Sequence, residues 1–465
     1  MIGPDSIHVE VLDEPMLEFG NAGLHQEQRA GIIAHGPADV GIEGRCEAIR
    51  VGLVGDGQAL GELRGYLESA ASGLEAKETD LTQLFPEFPG CTATAGFRAP
   101  LVFSDASTRA MGRKELACIS DAATPAEKIK AAVNLCAAAV SELSQGAAVD
   151  VVVLARPPGI PDGAGDTRGV GDNFHDLLKA ALISTPAPTP IQLIRPATWR
   201  GSVGTEDPAT TAWNLFSALF YKAGGKPWRL QTSRTEPTRC FVGISFAKLG
   251  DGQLFASVAQ VFNELGDGVI VRGALAERSK HDRQAHLSSV DARNLLNDAL
   301  ERYRDVHGNL PATVTVHKTS SFTSSERDGF LAAADAVPLK CELVWLTNSD
   351  SAMAIRGSRR YPPLRGTLVR LSEDEHLLYT HGSVPYYRTY PGLYVPRPVG
   401  LRPCSIERPV EAIAREILSL TKLNWNRARM EARMPITLLT ARRVGDILRH
   451  VPSSVAAAPQ YAMYM

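Results

Sequence analysis

The chain has 465 residues, 44% of them hydrophobic, with 49 Lys and Arg against 51 Asp and Glu and a formal net charge of −2. This length suits two or three domains with sizeable cores. The near-neutral balance excludes a protein that coats nucleic acid through a global basic field, so any such site must be local. Seven scattered cysteines, without a CxxC pair or a Cys/His cluster, exclude a disulfide scaffold and a structural zinc site and fit a reducing compartment.

Residues 1–45 read as short strands and turns (IHVEVLDEP, LEFG, AGIIAHGP), too few for a domain alone. The N-terminus lacks a basic start followed by an apolar core, and no apolar run approaches the roughly 20 residues of a membrane helix, so a cytoplasmic location is the expectation. AIRVGLVGD predicts a strand and GELRGYLESAASGLE an amphipathic helix. Thr124-Pro125-Ala126-Glu127 opens a second helix, with Thr as N-cap and Pro in the first turn, that runs through KIKAAVNLCAAAVSELS. VDVVVLARP follows as a strand buried on both faces. Strand, helix, strand in this order predicts an α/β domain with a parallel, Rossmann-like sheet, over residues 46–235. The Pro- and Gly-rich stretch 157–172 is a loop, HDLLKAALIS a helix and TPIQLIRP a short strand. DPATTAWNLFSALFYKAGGKPW is a helix with Pro208 in its first turn and Gly224-Gly225 as its stop.

A second α/β region, residues 236–465, follows the polar link 231–239. CFVGISFA, LFASVAQVFNELG and GVIVRGAL are three strands in succession. SSVDARNLLNDALERYRDVHG is a helix, ATVTVHK a strand, SSERDGFLAAADAV a helix and ELVWLTNS a strand. Two helices follow, around 409–424 and 435–450. Three strands, a helix, then alternating βαβ predict an RNase H-like fold.

GDGQALG (55–61) lies between a strand and a helix, like a dinucleotide-binding turn. Its GxGxxG spacing is broken, because Leu60 holds the last position, and no acidic residue closes a second strand at the expected distance. Glycine in a βα turn is common for backbone reasons alone, so the structural reading is favoured over a nicotinamide site.

A polar group in the second half of the first domain points to anion chemistry. His175 and Lys179 are four apart on one helix face, Gln192 lies in a strand, and Lys222 ends a helix with Asn214 two turns earlier. Two ammonium groups, an imidazole and an amide converging suit a terminal phosphate. Singly, each reads as a solvated surface residue.

The series H/Y-x-x-x-K, then Q, then K-x-G-G-x-P-W resembles the MID domain of Argonaute proteins. LYTHGSVPYYRTYPGLYVPRPVGLRP (378–403) and REILSLTKLNWNRARMEARMPITLLTARRVGDIL (415–448) resemble the late part of a prokaryotic Argonaute PIWI domain, with LTKLNWN followed by MPITL as its specific signature. The likeness covers roughly residues 46–465. It implies that His175, Lys179, Gln192 and Lys222 anchor the 5′ phosphate of a guide strand. His175 stands where many relatives carry Tyr. It further implies that Asn214, Lys422, Asn424, Asn426 and Arg427 touch the guide or target backbone, and that the C-terminal carboxylate of Met465 helps to hold Mg2+ at the guide phosphate. Helix capping and surface solvation are the alternative roles for Lys422, Asn424 and Asn426.

PIWI nucleases hold two divalent ions with carboxylates. The matching positions here are Ser245 at the strand CFVGIS, Lys318 after TVHK and Arg442 in TLLTARRVG. Hydroxyl and cationic groups cannot replace carboxylates in such a clamp. Asp251 and Glu277 lie away from the strand ends the chemistry requires. The resemblance therefore implies a short, MID–PIWI-only prokaryotic Argonaute with no nuclease activity of its own. Such a protein binds a small 5′-phosphorylated guide RNA and a complementary single-stranded DNA target from a plasmid or phage. It pairs with an APAZ-domain effector (a TIR or sirtuin-like NAD hydrolase, or a nuclease) and can form a higher oligomer on activation. Two arginine groups, Arg356, Arg359, Arg360, Arg365 and Arg370, then Arg427, Arg429, Arg433, Arg442, Arg443 and Arg449, fit a channel for a guide–target duplex.

Overall fold

The computed structural model describes residues 7–465 apart from 162–173, 202–205, 232–236, 249–253, 263–267, 281, 349–361, 393, 431, 453–454 and 456–457. The first segment supplies β1 (His8–Val11), β2 (Leu17–Glu18), β3 (Leu24–His25) and α1 (Gln28–His35). AGIIAHGP, expected as strand and turn, thus lies mostly in a helix. The side chain of Glu27 caps it by accepting a hydrogen bond from the Ala30 amide at 2.7 Å.

The first α/β region contains β4 (Ile49–Asp56), α2 (Gly57–Ala71), β5 (Leu101–Val102), β6 (Thr108–Met111), α3 (Arg113–Ser120) and α4 (Pro125–Gly146). It continues with β7 (Val151–Ala155), α5 (Phe174–Ile183), β8 (Ile191–Ile194), α6 (Pro196–Arg200), α7 (Pro208–Lys222) and β9 (Arg229–Leu230). Its sheet has the order β5-β4-β7-β8, with β6 also on β4, and every pairing is parallel. The Thr124 hydroxyl accepts from the Glu127 amide while the Glu127 carboxylate accepts from the Thr124 amide, the reciprocal cap that the sequence predicts for α4. All five residues of β7 are buried. Val151, Val153 and Ala155 enter one core, and Val152 and Leu154 the other, as alternation across a doubly covered sheet requires.

The second region contains β10 (Arg239–Lys248), β11 (Leu254–Phe262), β12 (Gly268–Arg278), β13 (Ala285–His286), α8 (Ser289–His307), β14 (Thr313–Lys318), α9 (Ser324–Ala334) and β15 (Lys340–Asn348). After these come β16 (Thr367–Arg370), β17 (His376–Leu378), β18 (Val399–Ser405), α10 (Val410–Leu420) and α11 (Ile436–Leu448). The predicted order holds: β12-β11-β10 is an antiparallel run, and β14 and β15 add parallel to β10. β18, β17, β16 and β1 extend this sheet beyond β15. The first segment is woven in, because β1 pairs with β16 and β2 pairs with β9. No helix among the described residues is long and apolar enough to cross a membrane.

Helix α11 lies against β10, and Gly243 makes that contact possible. A Cβ there would stand 2.1 Å from the Thr437 carbonyl oxygen. The Thr437 hydroxyl lies 3.0 Å from Nδ1 of buried His317 on the neighbouring strand β14. Gly243→Ala is predicted to push the helix off the sheet and to destabilise the protein by about 1–3 kcal/mol, the usual cost of overpacking. A lowered denaturant midpoint checks this, and an unchanged midpoint would contradict the close approach.

Candidate functional site

The structure brings His175, Lys179, Gln192 and Lys222 together. His175 and Lys179 share a face of α5, Gln192 lies on β8, and Lys222 is the last residue of α7. The Lys222 ammonium donates to Oε1 of Gln192 at 2.6 Å and to the Ile191 carbonyl at 3.0 Å. The Lys179 ammonium is 1% exposed and has no hydrogen-bond partner among the described residues. Burial, reinforced by the positive charges of Lys222 and Arg443, holds Lys179 well below the usual lysine range against the pull of Asp176. Burial, then Arg443, lowers Lys222 to about 7.

Arg443 is the member that sequence reasoning left in a general arginine cluster. It comes from α11, and its Nη2 stands 2.6 Å from Oδ1 of Asp176 and donates to Nδ1 of His175. Burial lowers the His175 pKa to about 3, so the ring is neutral, Nδ1 accepts from Arg443 and Nε2 carries the proton. One guanidinium, two lysines whose burial disfavours the charged form, and a neutral imidazole therefore surround one carboxylate that is already engaged. Among the described residues this set has no further anion: charging a buried, unpaired amine is costly, and an oxyanion with several acceptors would relieve it. The charge of this site does not fit a resident Mg2+ held by protein alone, and no cluster of three His, Cys, Asp or Glu suited to a metal occurs among the described residues. Met465 is buried in the same core as Tyr461, whose ring lies 6.3 Å from Tyr221, the residue before Lys222.

A cleft of about 220 Å³ continues from Gln192 past Asn214 to Asn426 and Arg427, which uniting four of the expected residues. Asn214 donates to Glu206 at 3.1 Å and accepts from the Ala428 amide at 3.1 Å, so it also pins the signature turn. Asn424 caps that turn by accepting from the Asn426 amide. Two expectations are corrected. The Lys422 ammonium is fully buried, 2.9 Å from Glu14, and donates to the Pro15 carbonyl, so it faces the interior and not a backbone ligand. Arg365 is likewise buried against Glu14 and bonds Thr421 and the Leu418 carbonyl. The signature LTKLNWN instead braces the site: the Trp425 ring stacks on Tyr221 at 4.7 Å, and the Trp425 indole donates to the Trp228 carbonyl. Arg427 and Arg442 are exposed, while Arg356, Arg359 and Arg360 lie outside the described residues.

At the strand ends, Ser245 on β10 follows Ile244, the residue in register with Lys318 on β14. Lys318 is fully buried, its ammonium 2.5 Å from Oε1 of Glu326 and 4.6 Å from the centre of the Phe322 ring. Glu326 also accepts from the Leu287 and Thr323 amides and lies 3.1 Å from Nδ1 of His286, whose Nε2 is 2.9 Å from Asp282. An internal cation and its shell thus fill the space beside Phe246 and β14. Glu277 is exposed on β12, and Asp251 lies outside the described residues.

No family model matches the sequence. Protein argonaute of Cereibacter sphaeroides (strain ATCC 17025 / ATH 2.4.3) is 20% identical over 436 residues, which span 87% of this chain and 51% of that relative. The structure of Clostridium butyricum Argonaute bound to a guide DNA (5′ deoxycytidine) and a 19-mer target DNA superposes with a TM-score of 0.66 at 14% identity, over 97% of this chain and 54% of that one. The crystal structure of Aa-Ago with externally bound siRNA gives 0.60 at 13% identity, over 97% and 55%. The chain has an Argonaute-like fold, a parallel Rossmann-like sheet followed by a mixed, RNase H-like sheet. It spans about half the length of these relatives.

Replacing the unpaired Lys179 amine by an apolar side chain of similar length separates stability from binding. Lys179→Met is predicted to stabilise the ligand-free protein by about 1–3 kcal/mol, the cost of an unsatisfied buried polar group. Thermal unfolding checks the sign, and a destabilised variant would contradict the account of the cluster.

Proposed function

We propose that this chain is the guide-binding subunit of a prokaryotic defence complex, loading a small 5′-phosphorylated RNA and pairing it with complementary single-stranded DNA from a plasmid or phage. The observation that carries this reading is the cluster of buried Lys179 and Lys222 with half-buried Arg443, beside His175 and Gln192, which has one carboxylate among the described residues. A phosphate monoester supplies three oxygens and up to two negative charges, which matches the missing partner. The cleft past Asn214, Asn426 and Arg427 offers amide and guanidinium donors for the adjoining backbone.

The chain recognises and does not cut in this reading. The resemblance assigns Ser245, Lys318 and Arg442 to the positions where a two-metal centre needs carboxylates, and the buried Lys318–Glu326 ion pair supports this reading. The resemblance supplies the rest of the proposal: an APAZ-domain effector, a TIR or sirtuin-like NAD hydrolase or a nuclease, that acts once guide and target have paired. Any Mg2+ at the guide phosphate would depend on oxygens brought by the guide, beside the carboxylate of Met465.

The test is the affinity for one short RNA carrying a 5′ phosphate against the same RNA with a 5′ hydroxyl. Each charge-assisted contact is worth roughly 1.5–3 kcal/mol, so a preference above about tenfold is expected, and it should collapse in Lys179→Met. Equal affinities would contradict the phosphate assignment. Mg2+-dependent cutting of a guide-matched DNA would contradict the non-cutting half and favour displaced acids such as Asp251.

A further inference from the structure

A second crevice, of about 870 Å³, opens at the carboxyl edge of the first sheet, and none of its lining residues belongs to the phosphate cluster. It lies where the chain reverses direction in the sheet: from β4 the connection runs to β5 and β6 on one side, and β7 and β8 add on the other. In open parallel sheets this switch point leaves a gap between the flanking connections, and small ligands bind there. The GDGQ turn forms one wall, through Asp56, Gly57 and Gln58.

Three guanidinium groups line the crevice, on Arg113, Arg156 and Arg200, against one carboxylate, that of Asp56. Arg156 is held by the Ile160 and Pro161 carbonyls, and Arg200 by Glu62 at 2.8 Å. Arg113 is exposed and has no acidic partner among the described residues. The helix ends do not supply the anion affinity. Asp56 already accepts from the first amides of α2, and Glu115 accepts from the Gly112 amide ahead of α3. Arg113 leads the attraction, with Arg156 and Arg200 beside it, and guanidiniums suit phosphate oxygens. Met111, Leu116 and Ile160 add an apolar wall, and the volume exceeds what a lone phosphate fills. Oδ1 of Asp56 caps α2, and its second carboxylate oxygen can accept from a sugar hydroxyl.

We propose that this crevice binds a free nucleoside phosphate, at a site separate from the one assigned to the guide end. The broken glycine spacing disfavours a dinucleotide, so ATP is the probe, with adenosine as its uncharged control. Binding is measured by calorimetry on the full chain without RNA, so that the result does not depend on the guide proposal. The proposal expects ATP to bind more tightly than adenosine, to lose at least about tenfold in Arg113→Glu, and to keep its affinity in Lys179→Met. A complete absence of ATP binding would overturn it. So would ATP binding that is lost in Lys179→Met and kept in Arg113→Glu, because the ligand would then occupy the phosphate cluster.

Discussion

One contact between the two halves governs the rest: helix α11 rests on β10 at Gly243 and carries Arg443 to Asp176 and His175 on α5. The cluster of His175, Lys179, Gln192 and Lys222 therefore gains Arg443 only when the second sheet is folded and docked on the first. Trp425 adds a second clasp by stacking on Tyr221, directly before Lys222. Site and interface share the same residues, so a ligand that neutralises the cluster also strengthens the junction between the sheets.

The electrostatics divide the buried charges into two kinds. Lys422, Lys318 and Arg365 are buried with an acidic partner: Glu14 serves Lys422 and Arg365, and Glu326 serves Lys318. These pairs fix geometry. Burial lowers the pKa of the lysines of both kinds, but Lys179 and Lys222 have no carboxylate in ion-pair contact among the described residues. A protein tolerates the second arrangement where function needs it, because stability alone would replace such lysines with apolar side chains. The contrast separates the cluster around Lys179 and Lys222 from the strand end at Lys318, although both contain a buried lysine.

Much of the fold was legible because local signals carried it. The Thr124–Glu127 cap, the two-sided apolar run of β7 and the three-strand succession β10 to β12 each follow from neighbours in sequence. What failed was set by distant partners. AGIIAHGP folds as helix although Gly31 weakens it locally, since a Cβ at Gly31 would stand 2.1 Å from the Phe19 ring. Lys422 and Arg365 looked like surface cations because Glu14 lies hundreds of residues away. At the site, the spacing of His175, Lys179, Gln192 and Lys222 was readable, whereas Arg443 was one arginine among many until α11 was placed. The only signal that marked it was its position in the helix after MPITL.

The central claim is that the cluster is short of negative charge and takes it from a phosphate. Without ligand, Lys222 titrates near 7 and Lys179 below its usual range, and a bound dianion raises both. Binding above pH 7 must then take up protons, and affinity must fall as pH rises. Calorimetry at pH 8 in buffers of different ionisation enthalpy reads this uptake directly. The account predicts net proton uptake for an RNA with a 5′ phosphate and little for the 5′ hydroxyl form. Equal proton exchange for the two RNAs would contradict it.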